Sequence, residues 1–188
     1  MAQFQLGFMH ENGLGVPKDF KEAYRLYELS ANQGLREAQR AVGVLYLHGL
    51  GVTKDIKESF KWFKLAAEQG DAIAQNNLGA IYKAGDGISQ NYKEAVRWFK
   101  LAAEQGFPLS QYNLANMYRT GKGVPQDYTE AGRLYASAAD GGNLDAVFWL
   151  ASFFGTGAGG IPIDKEKELL AYTYAAERGH ANSQFQLA

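Results

Sequence analysis

KWFKLAAEQG at residues 61–70 returns as RWFKLAAEQG at 97–106, a displacement of 36 residues. Similarity at a fixed period decides a fold before any local motif does, because each period is one supersecondary unit that buries its apolar face only against its neighbours. Outward from this pair, the segments that open successive units read AQFQLG at 2–7, AQRAVG at 38–43, AQNNLG at 74–79, SQYNLA at 110–115, AVFWLA at 146–151 and SQFQLA at 183–188. The steps are 36, 36, 36, 36 and 37 residues. One array over 1–188 is expected, with units at about 2–37, 38–73, 74–109, 110–145 and 146–182 and a partial sixth at 183–188.

Within a unit the apolar residues have helical spacing. Ala74, Leu78, Ile81 and Tyr82 lie at i, i+4, i+7 and i+8 and form one stripe. Ala95, Trp98, Phe99, Ala102 and Ala103 form another, which Gly106 ends in the place of a left-handed helix terminus. The tryptophans Trp62 and Trp98 read as core. Two helices per period, neither able to cover its face alone, predict an all-α solenoid of antiparallel helix pairs.

Columns of the repeat state what each position requires. Asp19, Asp55, Asn91, Asp127 and Asp164 stand where the second helix begins, followed three residues on by Glu22, Glu58, Glu94, Glu130 and Lys167. The first four pairs resemble capping boxes, and a cap tolerates Asn91 where a catalytic or metal-binding carboxylate would not. The column Gly7, Gly43, Gly79, Ala115, Ala151 and Ala188 accepts alanine, so it requires a small residue at a close helix crossing and not a positive φ.

GTGAGG at 155–160 fits the dinucleotide-binding pattern G-x-G-x-x-G. The corresponding loops read GLGV at 13–16 and 49–52, GDGI at 85–88 and GKGV at 121–124, so the fifth is the same loop with one glycine inserted. A dinucleotide fingerprint follows a strand and opens a helix. Here a helical pattern precedes the glycines and no strand pattern exists, so the expectation is a turn with positive φ.

Apolar residues make up 46% of the chain, and 19 Lys and Arg face 20 Asp and Glu, which leaves no field to attract nucleic acid. No apolar run approaches the ~18 residues that argue for membrane insertion, and MAQFQLGFMHENG lacks the features of a signal peptide. The compartment stays open. With no cysteine there is no disulfide, cysteine nucleophile or thiolate metal site, and no cofactor or metal is expected.

The unit A-x-x-x-L-G-x-x-Y-x-x-G-x-G-V-x-x-D-x-x-x-A-x-x-W-[YF]-x-x-A-A-x-x-G resembles the Sel-one-like repeat, a relative of the tetratricopeptide repeat. The second unit matches from Ala38 and Tyr46 through Gly49, Gly51, Val52 and Asp55 to Trp62, Ala66, Ala67 and Gly70, and the third matches apart from Ile88 and Asn91. The outer units depart from it at His10, Glu168 and Ala171. The resemblance implies a right-handed superhelical α-solenoid, and an adaptor that assembles protein complexes and carries no catalytic machinery of its own. Some members have been described as β-lactamase-like, but S-x-x-K, S-D-N and K-T-G are all absent here. His10, His48 and His180 show no metal-ligand spacing, and a non-enzymatic protein is expected.

By analogy with tetratricopeptide solenoids, non-core positions of the first helices line the concave face and meet a protein or peptide partner. Counting from each L-G pair nominates Arg40, Asn76, Asn77, Lys83, Tyr112, Asn113, Asn116, Arg119 and Phe148. Asparagine amides pair with peptide N–H and C=O, the cations with acidic groups, and the aromatics act as anchors. A structural spacer within a larger protein is the alternative, and a hydrolase the remote one. No polar capping element is visible at either end, which suggests a fragment of a longer protein. The apolar residues at its ends (Phe4, Leu6, Phe8, Phe185 and Leu187) admit a homodimer or end-to-end contacts.

Overall fold

Each 36-residue period carries two apolar stripes separated by a glycine loop, and each stripe becomes one helix. The computed structural model describes residues 1–188 and contains eleven α-helices and no strand. They fall into two units, 1–91 and 92–188. The first holds α1 (Ala2–Asn12), α2 (Phe20–Ala31), α3 (Arg36–His48), α4 (Ile56–Glu68) and α5 (Ala72–Ala84). The second holds α6 (Tyr92–Glu104), α7 (Pro108–Thr120), α8 (Tyr128–Asp140), α9 (Leu144–Thr156), α10 (Lys165–Glu177) and α11 (Ala181–Leu187), with a 3-10 turn at Ala158–Gly160.

In each unit, helices adjacent in sequence pack together, α1 on α2, α3 on α4, α7 on α8 and α9 on α10. In the first unit Ala23, Tyr27, Ala31, Ala38, Val42 and Leu45 form one buried cluster, with the half-buried Trp62 against it. That tryptophan is a lid on the core of the first unit; in the second unit Trp98 is buried, 5% exposed. The small column behaves as expected. A Cβ on Gly43 would meet the Phe63 ring at 2.8 Å, so the residue is small because an aromatic sits on the backbone of α3.

Four members of the cap column, Asp19, Asp55, Asp127 and Asp164, cap their helices as expected, with one correction. Asp19 accepts from the backbone N–H of Lys21 and Glu22, Asp55 from Lys57 and Glu58, Asp127 from Glu130 and Asp164 from Lys167. The reciprocal half of a capping box is missing. The cap residues' own N–H groups already donate to carbonyls in the preceding helix: Asp19 to His10, Asp55 to Tyr46, Asp127 to Tyr118 and Asp164 to Phe154, at 2.9–3.0 Å. This bond closes each helix pair at its loop end. The glutamates, released from the box, pair a turn ahead instead, Glu22 with Arg25, Glu58 with Lys61 and Glu130 with Arg133.

The paired glycines take positive φ, for example 71° at both Gly49 and Gly51. The first is the helix C-cap. The second approaches the preceding repeat, where a Cβ on Gly51 would stand 2.2 Å from the Phe20 carbonyl oxygen. GTGAGG repeats this geometry: Gly157 caps α9 and a Cβ on Gly159 would lie 2.4 Å from the Tyr128 carbonyl oxygen. Its backbone is packed on α8 in the manner of the other loops, a turn as the repeat predicts.

Candidate functional site

The second unit gathers the most connected polar cluster around α7. Tyr112, Asn116 and Arg119 fall at i, i+4 and i+7 on one face of that helix. Tyr135 rises from the core of α8 and Trp149 comes from α9. Arg119 Nε donates to the Tyr135 hydroxyl at 3.1 Å, and Tyr135 donates to Asn116 Oδ1 at 2.9 Å. The same Asn116 oxygen accepts from Arg119 Nη2 at 3.3 Å, while its Nδ2 donates to the Tyr112 carbonyl at 3.1 Å. The guanidinium lies 3.9 Å from the centre of the Trp149 ring, and that ring is nearly parallel to Tyr135, at 14°. Arg119 is thus held on one face by an indole and along one edge by two hydrogen bonds. A carboxylate lies within 4.0 Å of Arg25, Arg36, Arg40, Arg97 and Arg133, but of neither Arg119 nor the exposed Arg178.

Three periods of 36 residues earlier, Tyr27 occupies the place of Tyr135 and Glu11 the place of Arg119. There the tyrosine donates to the glutamate at 2.6 Å. The same scaffold position therefore carries opposite charge in the two units. Burial pushes both tyrosine hydroxyls upward; the Glu11 bond adds to the shift at Tyr27, and Arg119 opposes it at Tyr135. An acid whose folded pKa is raised contributes stability in full below its unfolded pKa, and that stability is lost as pH rises through the folded value. Thermal unfolding is expected to fall to lower temperature above pH 10, the ordinary tyrosine value. The Tyr27→Phe, Tyr135→Phe double variant should show a shallower decline, and equal slopes would remove the tyrosines from the account.

The other nominated residues are placed differently. In the first unit Arg40 is already paired with Asp71 at 3.1 Å, and Asn76 is buried at 4% exposure. Asn77 is half-buried beside a shallow hollow with Leu47, Ile56 and Ala80, and Lys83 lies half-buried in the last turn of α5. In the second unit Asn113 is half-buried on α7. Phe148 packs against Trp149, Tyr172 and His180, with ring centres 5.5–5.7 Å apart, so it braces α9 more than it projects. Sequence reasoning missed Tyr135 and Trp149. Trp149 had a signal, because it stands in a column otherwise filled by Gln5, Ala41, Asn77, Asn113 and Gln186.

A chain of Asp145, His180 and Ser183 has the composition of a catalytic triad. His180 Nε2 lies 3.1 Å from Asp145 Oδ1, and Nδ1 lies 2.8 Å from Ser183 Oγ. Ser183 is fully buried, and His180 Nδ1 also accepts from the Ser183 backbone N–H at 3.2 Å. That is an N-cap of α11, in the place where Asp71 and Asn143 cap α5 and α9.

The Sel1 repeat model matches residues 1–35, 36–71, 72–107, 108–143 and 144–180. The chain belongs to the Sel1 repeat family. Among solved structures, a Sel1 repeat protein from Oxalobacter formigenes is 34% identical, with 97% of this chain and 72% of that one aligned and a TM-score of 0.91. A protective antigen of uropathogenic Escherichia coli strains, displaying an SLR fold, is 37% identical with a TM-score of 0.93 over 99% of this chain. This chain spans only 40% of that antigen's length. Helicobacter pylori cysteine rich protein B, 19% identical, aligns with 69% of this chain and 92% of its own at a TM-score of 0.54, a likeness of fold alone. A comparison with curated protein sequences finds no match. The Sel1 repeat is a helical scaffold, and proteins built from it are generally protein-interaction modules.

Proposed function

We propose that this Sel1 repeat chain is a non-catalytic adaptor that holds a protein or peptide partner on the α7–α9 surface, through Tyr112, Asn116, Arg119 and Trp149. The carrying observation is Arg119, a half-buried cation fixed in position with no carboxylate of its own chain beside it. Preorganised cations of this kind reduce the ordering cost of association. In the first unit Asn77 and Lys83 remain secondary candidates, whereas Arg40 and Asn76 are committed to the fold. Affinity capture from source lysate tests the reading, with the native chain beside Arg119→Glu and the surface control Lys64→Glu, all checked by circular dichroism. A partner kept by the native chain and the control but lost by folded Arg119→Glu supports it. Equal recovery from all three moves the partner elsewhere, and no partner at all favours a spacer.

A second reading concerns self-association. Phe8 and Leu6 in α1 are 46% and 40% exposed, and Phe185 in α11 is 79% exposed. Exposed apolar groups of this size favour contacts between copies. Light scattering over a concentration series should then show mass growth that Phe185→Ser abolishes; a constant monomer mass removes the reading.

A further inference from the structure

We propose that the Arg119 cluster selects an acidic side chain, Asp or Glu, within an internal segment of the partner; this rests on the adaptor reading above. The argument begins with the guanidinium's five N–H donors. The Nε hydrogen is given to Tyr135 and one Nη2 hydrogen to Asn116. The edge formed by the two terminal nitrogens remains, and its geometry matches the two oxygens of a carboxylate. One face of the guanidinium plane is covered by Trp149, so an anion is directed to that edge.

Charge complementarity fixes the sign of the occupant. The local surroundings give the cation a neutral setting, consisting of Tyr112, Asn116, Tyr135 and Trp149. Glu130 is paired with Arg133, and Asp145 is hydrogen-bonded to His180. The distinction between a side-chain and a terminal carboxylate follows from acceptors. A chain terminus brings its last peptide N–H beside the carboxylate, and the two oxygens bordering the guanidinium already accept: Asn116 Oδ1 from two donors and the Tyr135 oxygen from Arg119. A side-chain carboxylate arrives on methylene groups instead, which suit the exposed part of the Trp149 ring.

The test uses two random peptide display libraries, one with peptides anchored at both ends and one with free C-termini. The full native chain is the bait, beside Arg119→Gln and Arg119→Lys, with helicity and thermal unfolding measured for each. The native chain should enrich internal peptides that carry an Asp or Glu. The best synthetic peptide, measured by calorimetry, should bind roughly 10–100-fold more tightly than its Glu→Gln analogue, the range of a charge-assisted hydrogen-bonded pair. That ratio should fall to about one in Arg119→Gln and recover only in part in Arg119→Lys, which keeps the charge but loses the planar fork. A residue that only braces Tyr135 would change stability without changing the Glu-to-Gln ratio. Peptides enriched without acidic preference, an acidic preference that survives Arg119→Gln, or selection confined to free C-termini would overturn the acidic-side-chain proposal while leaving the adaptor surface standing. Failure to enrich any peptide overturns both.

Discussion

Phe63→Ala is expected to lower the unfolding free energy of the first unit by about 3–5 kcal/mol, the cost of truncating a fully buried aromatic. Phe63 has no exposed surface, and its ring lies directly on the backbone of α3, where a Cβ added to Gly43 would come within 2.8 Å. The resulting cavity has little means of collapse. Helix α4 is tied at its start by the Asp55 cap and by the Asp55 N–H bond to the Tyr46 carbonyl, and Ser59 Oγ donates to the Gly43 carbonyl at 2.8 Å one turn from the ring. Both attachments hold α3 and α4 at their present separation. Leu65→Ala on the same helix is the comparison, because Leu65 is 44% exposed and its loss leaves no enclosed void. Urea unfolding followed by circular dichroism measures both. A Phe63→Ala loss as small as that of Leu65→Ala would mean that the helix pair repacks freely.

The sequence made the period, the helix pairs, the second-helix caps and the glycine turns legible, because each is a local requirement repeated in five places. A column of Asp and Asn at fixed spacing announces a cap even when no partner atom is known. Other repeated residues were visible but their work was not. Gln39, Gln75 and Gln184 recur in the opening segment, and their side-chain amides donate to the carbonyls of Ala31, Ala67 and Ala176, near the end of the preceding helix. That role depends on how one helix pair meets the next, which spacing within a unit does not encode. The capping box failed for a similar reason, since the cap N–H groups found carbonyl partners nine or ten residues earlier in the chain, in the preceding helix and outside their own.

The candidate site was legible only in part. Tyr112, Asn116 and Arg119 share a helix face, so periodicity placed them together. Tyr135 belongs to the column Tyr27, Phe63, Phe99, Tyr135 and Tyr172, which reads as core. Nothing in that pattern says that its hydroxyl reaches Arg119. Asn76 and Phe148 fell on the nominated positions by count, but burial at the first and ring packing at the second assign them to the scaffold. A column predicts where a Cβ points, not how far the side chain travels or what it meets.

Gly51→Ala is expected to destabilise the first unit by about 3 kcal/mol or more, and Gly70→Ala by only about 1–2 kcal/mol. Both glycines have positive φ, 71° and 86°, so both substitutions incur the left-handed backbone penalty. They differ in what the new methyl group meets. At Gly70 nothing lies within 4 Å; at Gly51 the Cβ would stand 2.2 Å from the Phe20 carbonyl oxygen and 2.7 Å from the Lys21 nitrogen. Those atoms are backbone in the first turn of α2 and cannot rotate away. Relief requires moving α2 against the loop, which strains the Asp19 cap bonds to Lys21 and Glu22 at 2.9 and 3.1 Å. Gly123 and Gly159 meet the carbonyl oxygens of Tyr92 and Tyr128 at 2.4 Å in the same way, whereas Gly87 meets the Ile56 side chain at 3.0 Å, so the backbone contact recurs in three of the five loops. Equal losses for Gly51→Ala and Gly70→Ala in urea unfolding would show that backbone conformation alone explains these glycines and that the close approach to the preceding repeat is tolerant. A larger loss at Gly51 would make the second loop glycine the point that fixes the distance between one helix pair and the next.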